Sequence, residues 1–473
     1  KRRIMTKDII IIGAGPGGYE TAIRACQLGL NVNLIEKAEV GGTCLNRGCI
    51  PTKTLWKIAD LYKEIKESET FGIEVNDHKL LADKIKQRKT EIIERLRSGV
   101  EYLFKTYDNL TFIRGEASFK DNKTVIVKTL EGETKELTAD KIIIATGSKD
   151  YKPTNIEGID HPKVLTSTGL LELEEIPKSM VVIGTGVIGM EFASIYSQFG
   201  TEVTVVGNKL LKTEDGEIQK RLKSILKSDT LKFVTGVYAK KIVEEDGRLK
   251  IISQKVGKDK FQETYADYVL VASGRSSNID NLGIENTDIK TEKNAIVVDE
   301  NLQTNVEGIY SIGDCVYKNT QLAHVASNQG KNLVREFSGK EKNINMDIVP
   351  AVVFTVPEIA SVGLTEEKAK EQNIDYVTSK FMYQANGKAL SLNATEGFVK
   401  IVATKDLSKI LGCHIIGHDA STLIHFAAIA MNNNVGVEGL SAMIYAHPTI
   451  SEVFMDSVEQ LEGLSINTPN PNK

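Results

Sequence analysis

Residues 8–36 run through an apolar stretch, the turn Gly13-Ala14-Gly15-Pro16-Gly17-Gly18, a helical pattern through Ala22, Ala25 and Leu28, a stop at Gly29, and a second apolar stretch ending on Glu36. No other feature constrains the fold as much. Strand, glycine turn, helix, strand is the unit that wraps a dinucleotide. Gly13 permits the tight turn, and Gly15 lets a pyrophosphate approach the backbone at the helix N-terminus. Gly18 allows helix and strand to pack closely, and Glu36 is placed to accept ribose hydroxyls. A lone glycine fingerprint is weak. Both flanking strands and the terminal acid at the expected distance favour dinucleotide binding over an ordinary glycine-rich turn.

The unit occurs twice. Residues 180–206 repeat it, with Gly184-Thr185-Gly186-Val187-Ile188-Gly189 opening a helix that stops near Gly200. The 23 residues from Gly13 to Glu36 equal the spacing from Gly184 to Gly207, so glycine stands where the first copy has its ribose acid. Each copy closes on a similar turn, Ala145-Thr146-Gly147 and Ala272-Ser273-Gly274. The interval from first glycine to closing turn is 132 residues in the first copy and 88 in the second, so the first carries an insertion of about 44. That insertion holds Gly41 to Lys53, with two cysteines, and two charged amphipathic stretches, 54–68 and 80–107, that predict a pair of helices. The stretch 308–314 is a further strand-to-turn signal, as if the chain returned to its first domain. From about Asn345 short alternating runs (351–354, 398–403, 410–416) and a helical stretch over 420–431 predict an α+β region.

A chain of 473 residues has length for roughly three domains. The expected class is α/β: two Rossmann-like dinucleotide-binding domains plus a C-terminal α+β domain. The first nucleotide domain is discontinuous, 1–148 and 275–344; the second spans 149–274 and the third 345–473. With 59 Lys plus Arg against 63 Asp plus Glu, the net charge of -4 supports no large footprint on nucleic acid or anionic membrane. No apolar run reaches the ~18 residues of a membrane span. Lys1-Arg2-Arg3 resembles the start of a signal peptide, but Lys7 and Asp8 interrupt it, and Met5 reads as a natural start. The tail, 468–473, reads as disordered.

Five cysteines form an odd, sparse set that suits a reducing compartment. Cys44 and Cys49 lie in a polar, glycine-rich segment. Five residues apart on an ideal helix they would differ by roughly 7.5 Å of rise and about 140° of rotation. A disulfide needs Cα atoms within ~7 Å, so pairing requires a bend, which Gly48 allows. Pro51 suits the first turn of a following helix, placing Cys49 at a helix N-terminus where thiolate is favoured. The alternative is two buried free cysteines packed as core residues. Cys26, Cys315 and Cys413 read as inert small side chains. Metal binding is not expected, because no paired Cys-x-x-Cys or matching histidine cluster is present.

The run Gly41-Gly42-Thr43-Cys44-Leu45-Asn46-Arg47-Gly48-Cys49-Ile50-Pro51-Thr52-Lys53 resembles the redox signature of the flavin-dependent pyridine nucleotide-disulfide oxidoreductases. Gly313-Asp314, the stretches 322–326 and 357–363, and Ala446-His447-Pro448-Thr449-Ile450-Ser451-Glu452 follow in that family's order, so the resemblance covers nearly the whole chain. It is closest to members that oxidise dihydrolipoyl groups.

The resemblance implies FAD on the first unit, at Gly13, Gly15, Gly18, Glu36, Ala117, Thr146, Gly147, Asp314 and Ala323. It implies a nicotinamide nucleotide on the second, at Gly184, Gly186, Gly189 and Gly274. Lys53 and Glu191 would pair beside the flavin ring, a purely structural salt bridge being the alternative. Cys44 would exchange with the external thiol and Cys49 would lie against the flavin, the two forming a redox disulfide. His447 would be the general base, supplied to the site by the other subunit of a homodimer, with Glu452 holding its imidazole. Thr449-Ile-Ser-Glu452 also fits a helix capping box, which would give that carboxylate a competing role.

The implied partner is a lipoyl-bearing protein of a 2-oxoacid dehydrogenase or glycine cleavage complex, in the cytoplasm. Gly207 departs from the pattern of NAD-selective relatives, which have an acid there. NAD is the expected acceptor, and Lys209 and Lys212 leave NADP open. The alternative activity is NADPH-dependent reduction of a low-molecular-weight disulfide, although Val453 stands where such reductases carry a second acid. Relatives with a C-terminal cysteine pair are disfavoured, because 465–473 has none. A flavin-bearing subunit without turnover is the reading from outside the enzymes.

Overall fold

The computed structural model describes residues 8–469; the basic start, Met5 and the last four tail residues lie outside them. Thr468 is described, and its hydroxyl lies 2.8 Å from that of Ser465.

Both glycine units form. The first is β1 (Asp8–Ile12), α1 (Pro16–Gln27) and β2 (Asn31–Glu36). Ile9, Ile10 and Ile11 are fully buried, as an unbroken apolar strand requires when both faces of a parallel sheet are covered. Pro16 occupies the first turn of α1, and Gly29, at φ +82°, ends it in the left-handed region. The second unit is the strand Ser179–Ile183, the helix Val187–Gln198 and the strand Glu202–Gly207. Ile9 lies opposite Val32 and Met180 opposite Val203, a register offset of 23 residues in both copies. The turns match as well. A Cβ on Gly13 would meet the Ala145 carbonyl oxygen at 2.5 Å, and one on Gly184 the Ala272 oxygen at 2.3 Å, so each closing turn packs on its own first glycine.

The insertion supplies α2 (Gly42–Arg47), α3 (Cys49–Lys66) and α4 (Ala82–Phe104). The helix expected from residue 54 starts five residues earlier, because Pro51 falls within its first turn and the break sits at Gly48. Beyond it come β3 (Leu110–Phe119), β4 (Thr124–Thr129), β5 (Thr134–Thr138) and β6 (Lys141–Ile144). The start of β3 runs parallel to β2, and its end turns away to pair antiparallel with β4. On the other side β1 pairs with β6, and β6 with Ile309–Ser311, so the chain does return to its first sheet. That sheet has seven strands, and the second unit's parallel sheet has five.

The C-terminal region is a five-stranded antiparallel sheet with the helices Ala420–Asn432 and Ser451–Leu461 packed on it. The helix Val187–Gln198 is buried along most of its length and joins the parts. Phe192 and Ile195 share one core with Leu55 and Ala59 of α3 and with Ile359, Phe398 and Ile416 of the C-terminal sheet. Polar contacts bind the same junction. Lys400, on the C-terminal sheet and almost fully buried, lies 2.9 Å from Asp215 of the second unit and 2.6 Å from Glu366.

Candidate active site

A cavity of about 1430 Å³ runs between the two nucleotide units. Gly13, Gly15, Glu36, Ala117, Thr146, Gly147, Asp314 and Ala323 line one part of it, and Gly184, Gly186 and Gly274 another. Cys44, Cys49, Lys53 and Glu191 line it too. Gly18 and Gly189 do not line it. A Cβ on Gly18 would meet the Gly13 oxygen at 1.8 Å and one on Gly189 the Gly184 oxygen at 2.4 Å. These third glycines act on the turn, letting the helix sit against it.

The first unit fits FAD. The backbone closes to a bare cradle where Gly15 meets the insertion, since a Cβ on Gly42 would come within 2.8 Å of Gly15 Cα. Both Glu36 oxygens accept backbone N–H groups, from Ala14 at 2.7 Å and Ala38 at 2.8 Å, which holds the carboxylate at the end of β2. Thr146 Oγ1 is buried with no hydrogen-bond partner among the described residues, which leaves a polar atom for a ligand to satisfy. Burial pushes the Asp314 carboxyl above its usual range, against a 2.6 Å hydrogen bond from Ser148.

The cysteines sit on two helices separated by a single residue. Cys44 is on α2 and Cys49 opens α3, with Gly48 between them at φ -144°, ψ -108°. A Cβ at Gly48 would meet the Thr43 carbonyl oxygen at 2.9 Å, so glycine is what permits the bend. Both are free thiols, half-buried, and hydrogen-bonded to one another. The hydrogen bond from Cys44, and then the Lys53 ammonium one turn along α3, hold Cys49 below the ordinary thiol range against the opposing effect of burial. The same hydrogen bond, together with burial, pushes Cys44 well up. Lys53 Nζ lies 2.8 and 2.9 Å from the two oxygens of Glu191 and 4.6 Å from the Phe354 ring centre. Glu191 also accepts the Phe354 N–H at 3.0 Å, so the third region fixes the pair.

His447 and Glu452 do not line this cavity. They stand together on the C-terminal region, the imidazole 79% exposed, with Nδ1 2.9 Å from Glu452 Oε1. The other oxygen, Oε2, accepts the Thr449 N–H at 2.8 Å. One oxygen of Glu452 thus holds the imidazole and the other a backbone N–H, while the Thr449 hydroxyl turns to the Ala446 carbonyl oxygen and does not cap the helix. Burial raises this carboxyl, but the Thr449 N–H and His447 outweigh it and leave the group below its usual range.

Sequence reasoning missed Ser148, Asp150 and Arg275. The segments Ser148–Asp150 and Arg275–Ser277 pair antiparallel where the chain crosses between units. Arg275 spans them, 2.8 Å from Ser148 Oγ and 2.8 Å from Asp150. The signal was present for two of them, since Ser148 and Arg275 each follow the last glycine of a closing turn.

The sequence pattern described as pyridine nucleotide-disulphide oxidoreductase matches residues 7–330, and that family's dimerisation domain matches 349–458. The chain is 39% identical to dihydrolipoyl dehydrogenase of Bacillus subtilis (strain 168), covering 97% of this chain and 99% of that one. It is 40% identical to the mitochondrial dihydrolipoyl dehydrogenase of Pisum sativum, covering 95% and 90%. Among solved structures, the HOCl-induced flavoprotein disulfide reductase RclA from Escherichia coli superposes with a TM-score of 0.84 at 28% identity, covering 96% of this chain and 99% of that one. A doubled nucleotide unit, a thiol pair opening α3 between the copies, and these matches along the whole length agree: the chain belongs to the pyridine nucleotide-disulphide oxidoreductase family.

Proposed function

We propose that the protein oxidises protein-bound dihydrolipoyl groups and passes the two electrons to NAD. The observation that carries this reading is the Cys44 and Cys49 pair, with one thiol lowered and one raised, set between two dinucleotide units in a chain so similar to dihydrolipoyl dehydrogenases. The first unit would hold FAD, which supplies an electron acceptor for the thiol pair, and the second would hold NAD, which supplies a hydride acceptor.

The chain's own groups do the rest. In the oxidised pair a dihydrolipoyl thiolate attacks Cys44 Sγ, the Cys44 to Cys49 bond breaks, and Cys49 leaves as the thiolate that Lys53 favours. The second dihydrolipoyl sulfur then displaces Cys44, closing the lipoyl disulfide. His447 of a second copy accepts the substrate's proton on Nε2, its Nδ1 being held by Glu452.

A homodimer goes with this assignment. Ile444, 98% exposed, and Met443 stand just before His447, and Ile429 is exposed on the helix Ala420–Asn432. Such apolar surface on a dimerisation domain suits burial against a second copy. The division of the chain at 148, 274 and 344, a cytoplasmic site of action and a lipoyl-bearing partner complete the proposal. Among the described residues no helix is long and apolar enough to cross a membrane.

Anaerobic turnover of the purified flavoprotein tests it, with NADH or NADPH offered against lipoamide or glutathione disulfide. Lipoamide-linked turnover is the expected result. Rapid NADPH oxidation with glutathione disulfide and none with lipoamide would overturn the substrate assignment.

A further inference from the structure

The two nucleotide units share a register yet differ at one interlocked pair of positions. In the first, small Ala14 lies in the glycine turn and Glu36 ends β2, its carboxylate folded onto the Ala14 N–H at 2.7 Å. In the second, Thr185 occupies the turn position and Gly207 the strand end. The exchange is steric. A Cβ on Gly207 would come within 2.6 Å of Thr185 Cγ2. Thr185 is not free to turn aside, because it is β-branched and its hydroxyl donates to the Lys209 carbonyl oxygen at 2.9 Å. The Leu211 N–H returns the contact, donating to the Thr185 oxygen at 2.9 Å, so the segment 208–213 is pinned against the glycine turn. Asn208 is tied in turn to the Tyr238 hydroxyl at 3.1 Å.

The charge around this end of the cavity is one-sided. Lys209, Lys212 and Lys240 line it, and none has a carboxylate within salt-bridge distance among the described residues. From Ile183 to Lys240 the only lining acid is Glu191, which is engaged by Lys53. A carboxylate here would accept the adenosine ribose 2′-hydroxyl and repel a 2′-phosphate. Threonine and glycine in its place remove the repulsion, and unpaired ammonium groups favour a dianion.

We propose that the second unit takes 2′-phosphorylated nicotinamide nucleotides at least as tightly as NAD, with Thr185 and Gly207 excluding the discriminating acid and Lys209 and Lys212 receiving the phosphate. The proposal rests on the family reading of the second unit as the nicotinamide nucleotide site, and it widens the acceptor without changing the thiol chemistry.

Calorimetric titration of the flavin-loaded protein tests it without turnover, comparing adenosine 2′,5′-bisphosphate with 5′-AMP and NADP+ with NAD+. The bisphosphate should bind at least tenfold more tightly than 5′-AMP, NADP+ should bind at least as tightly as NAD+, and raised salt should shrink the first difference. K209A/K212A should reduce the bisphosphate preference at least fivefold. T185A/G207E, which copies the Ala14 and Glu36 arrangement, should reverse the NADP+ to NAD+ order. A preference for 5′-AMP or for NAD+ in the native protein overturns the proposal and leaves the family reading intact, as does a phosphate preference that survives K209A/K212A. Absence of binding by all four nucleotides overturns both.

Discussion

At the scale of single residues the thiol pair is asymmetric. Cys49 has a neighbouring thiol to donate to it and the Lys53 ammonium one turn along its helix. A thiol whose value is lowered stays ionised to lower pH than an ordinary one. Lys53→Met should therefore move the appearance of thiolate absorbance in the reduced protein to higher pH, and Cys49→Ser should abolish the low-pH component. An unchanged midpoint in Lys53→Met would show that Lys53 does not tune the thiol. Loss of a general base costs about 10²- to 10⁴-fold. His447→Gln should lower lipoamide turnover by that order while leaving the thiolate titration in place, and turnover within a factor of about three of the native rate would remove His447 from the reaction. Glu452 was legible as two rival roles because sequence shows a spacing and not a side chain's two oxygens. Ser148 and Arg275 were not legible, because their partners come from segments more than a hundred residues apart that meet only where the chain crosses between units.

At the scale of elements the glycine units were readable almost completely, since each strand, turn and helix is specified by residues within thirty positions. What periodicity could not give was the start of α3. Its apolar spacing begins after Thr54, whereas its first turn is set by Gly48 and Pro51. The packing role read for Gly18 extends to Gly189, since each third glycine lies between its helix and its turn. Gly189→Ala should thus act through packing. Its Cβ would press on the Gly184 oxygen at 2.4 Å and Val182 Cγ1 at 3.2 Å. A forced fit of this kind costs about 1–3 kcal/mol. Thermal unfolding should occur several degrees lower and nicotinamide nucleotide affinity should fall, with flavin content unchanged. Retention of both stability and affinity would contradict the packing role.

At the scale of the whole molecule the second unit and the C-terminal sheet are joined by an apolar core with an ion pair beside it. Lys400 is 4% exposed and Asp215 fully buried. Burial alone would raise Asp215, but the hydrogen bonds from Lys400 and the Glu217 N–H outweigh it and hold the carboxyl down. A carboxyl lowered in the fold contributes stability above its unfolded value and loses it as pH falls through the folded one. His414, buried in the same sheet, is lowered by desolvation, so its protonation below the ordinary imidazole range also disfavours the fold. Both effects predict acid lability at this junction. Lys400→Met strands Asp215 without its cation, and breaking a buried pair in this way costs about 3–5 kcal/mol. Denaturant unfolding at neutral pH should show that loss, and a change under about 1 kcal/mol would mean that the pair carries little of the junction. None of this was visible beforehand, because Asp215 and Lys400 are 185 positions apart and each reads alone as an ordinary surface charge.

The contact between Gly207 and Thr185 also imposes an order on evolutionary change. An acid introduced at position 207 while Thr185 remains meets its methyl group and must break the tie between its hydroxyl and Lys209. Shortening Thr185 first opens the space. The two substitutions are epistatic, and one path between the two states passes through a much less favourable intermediate than the other.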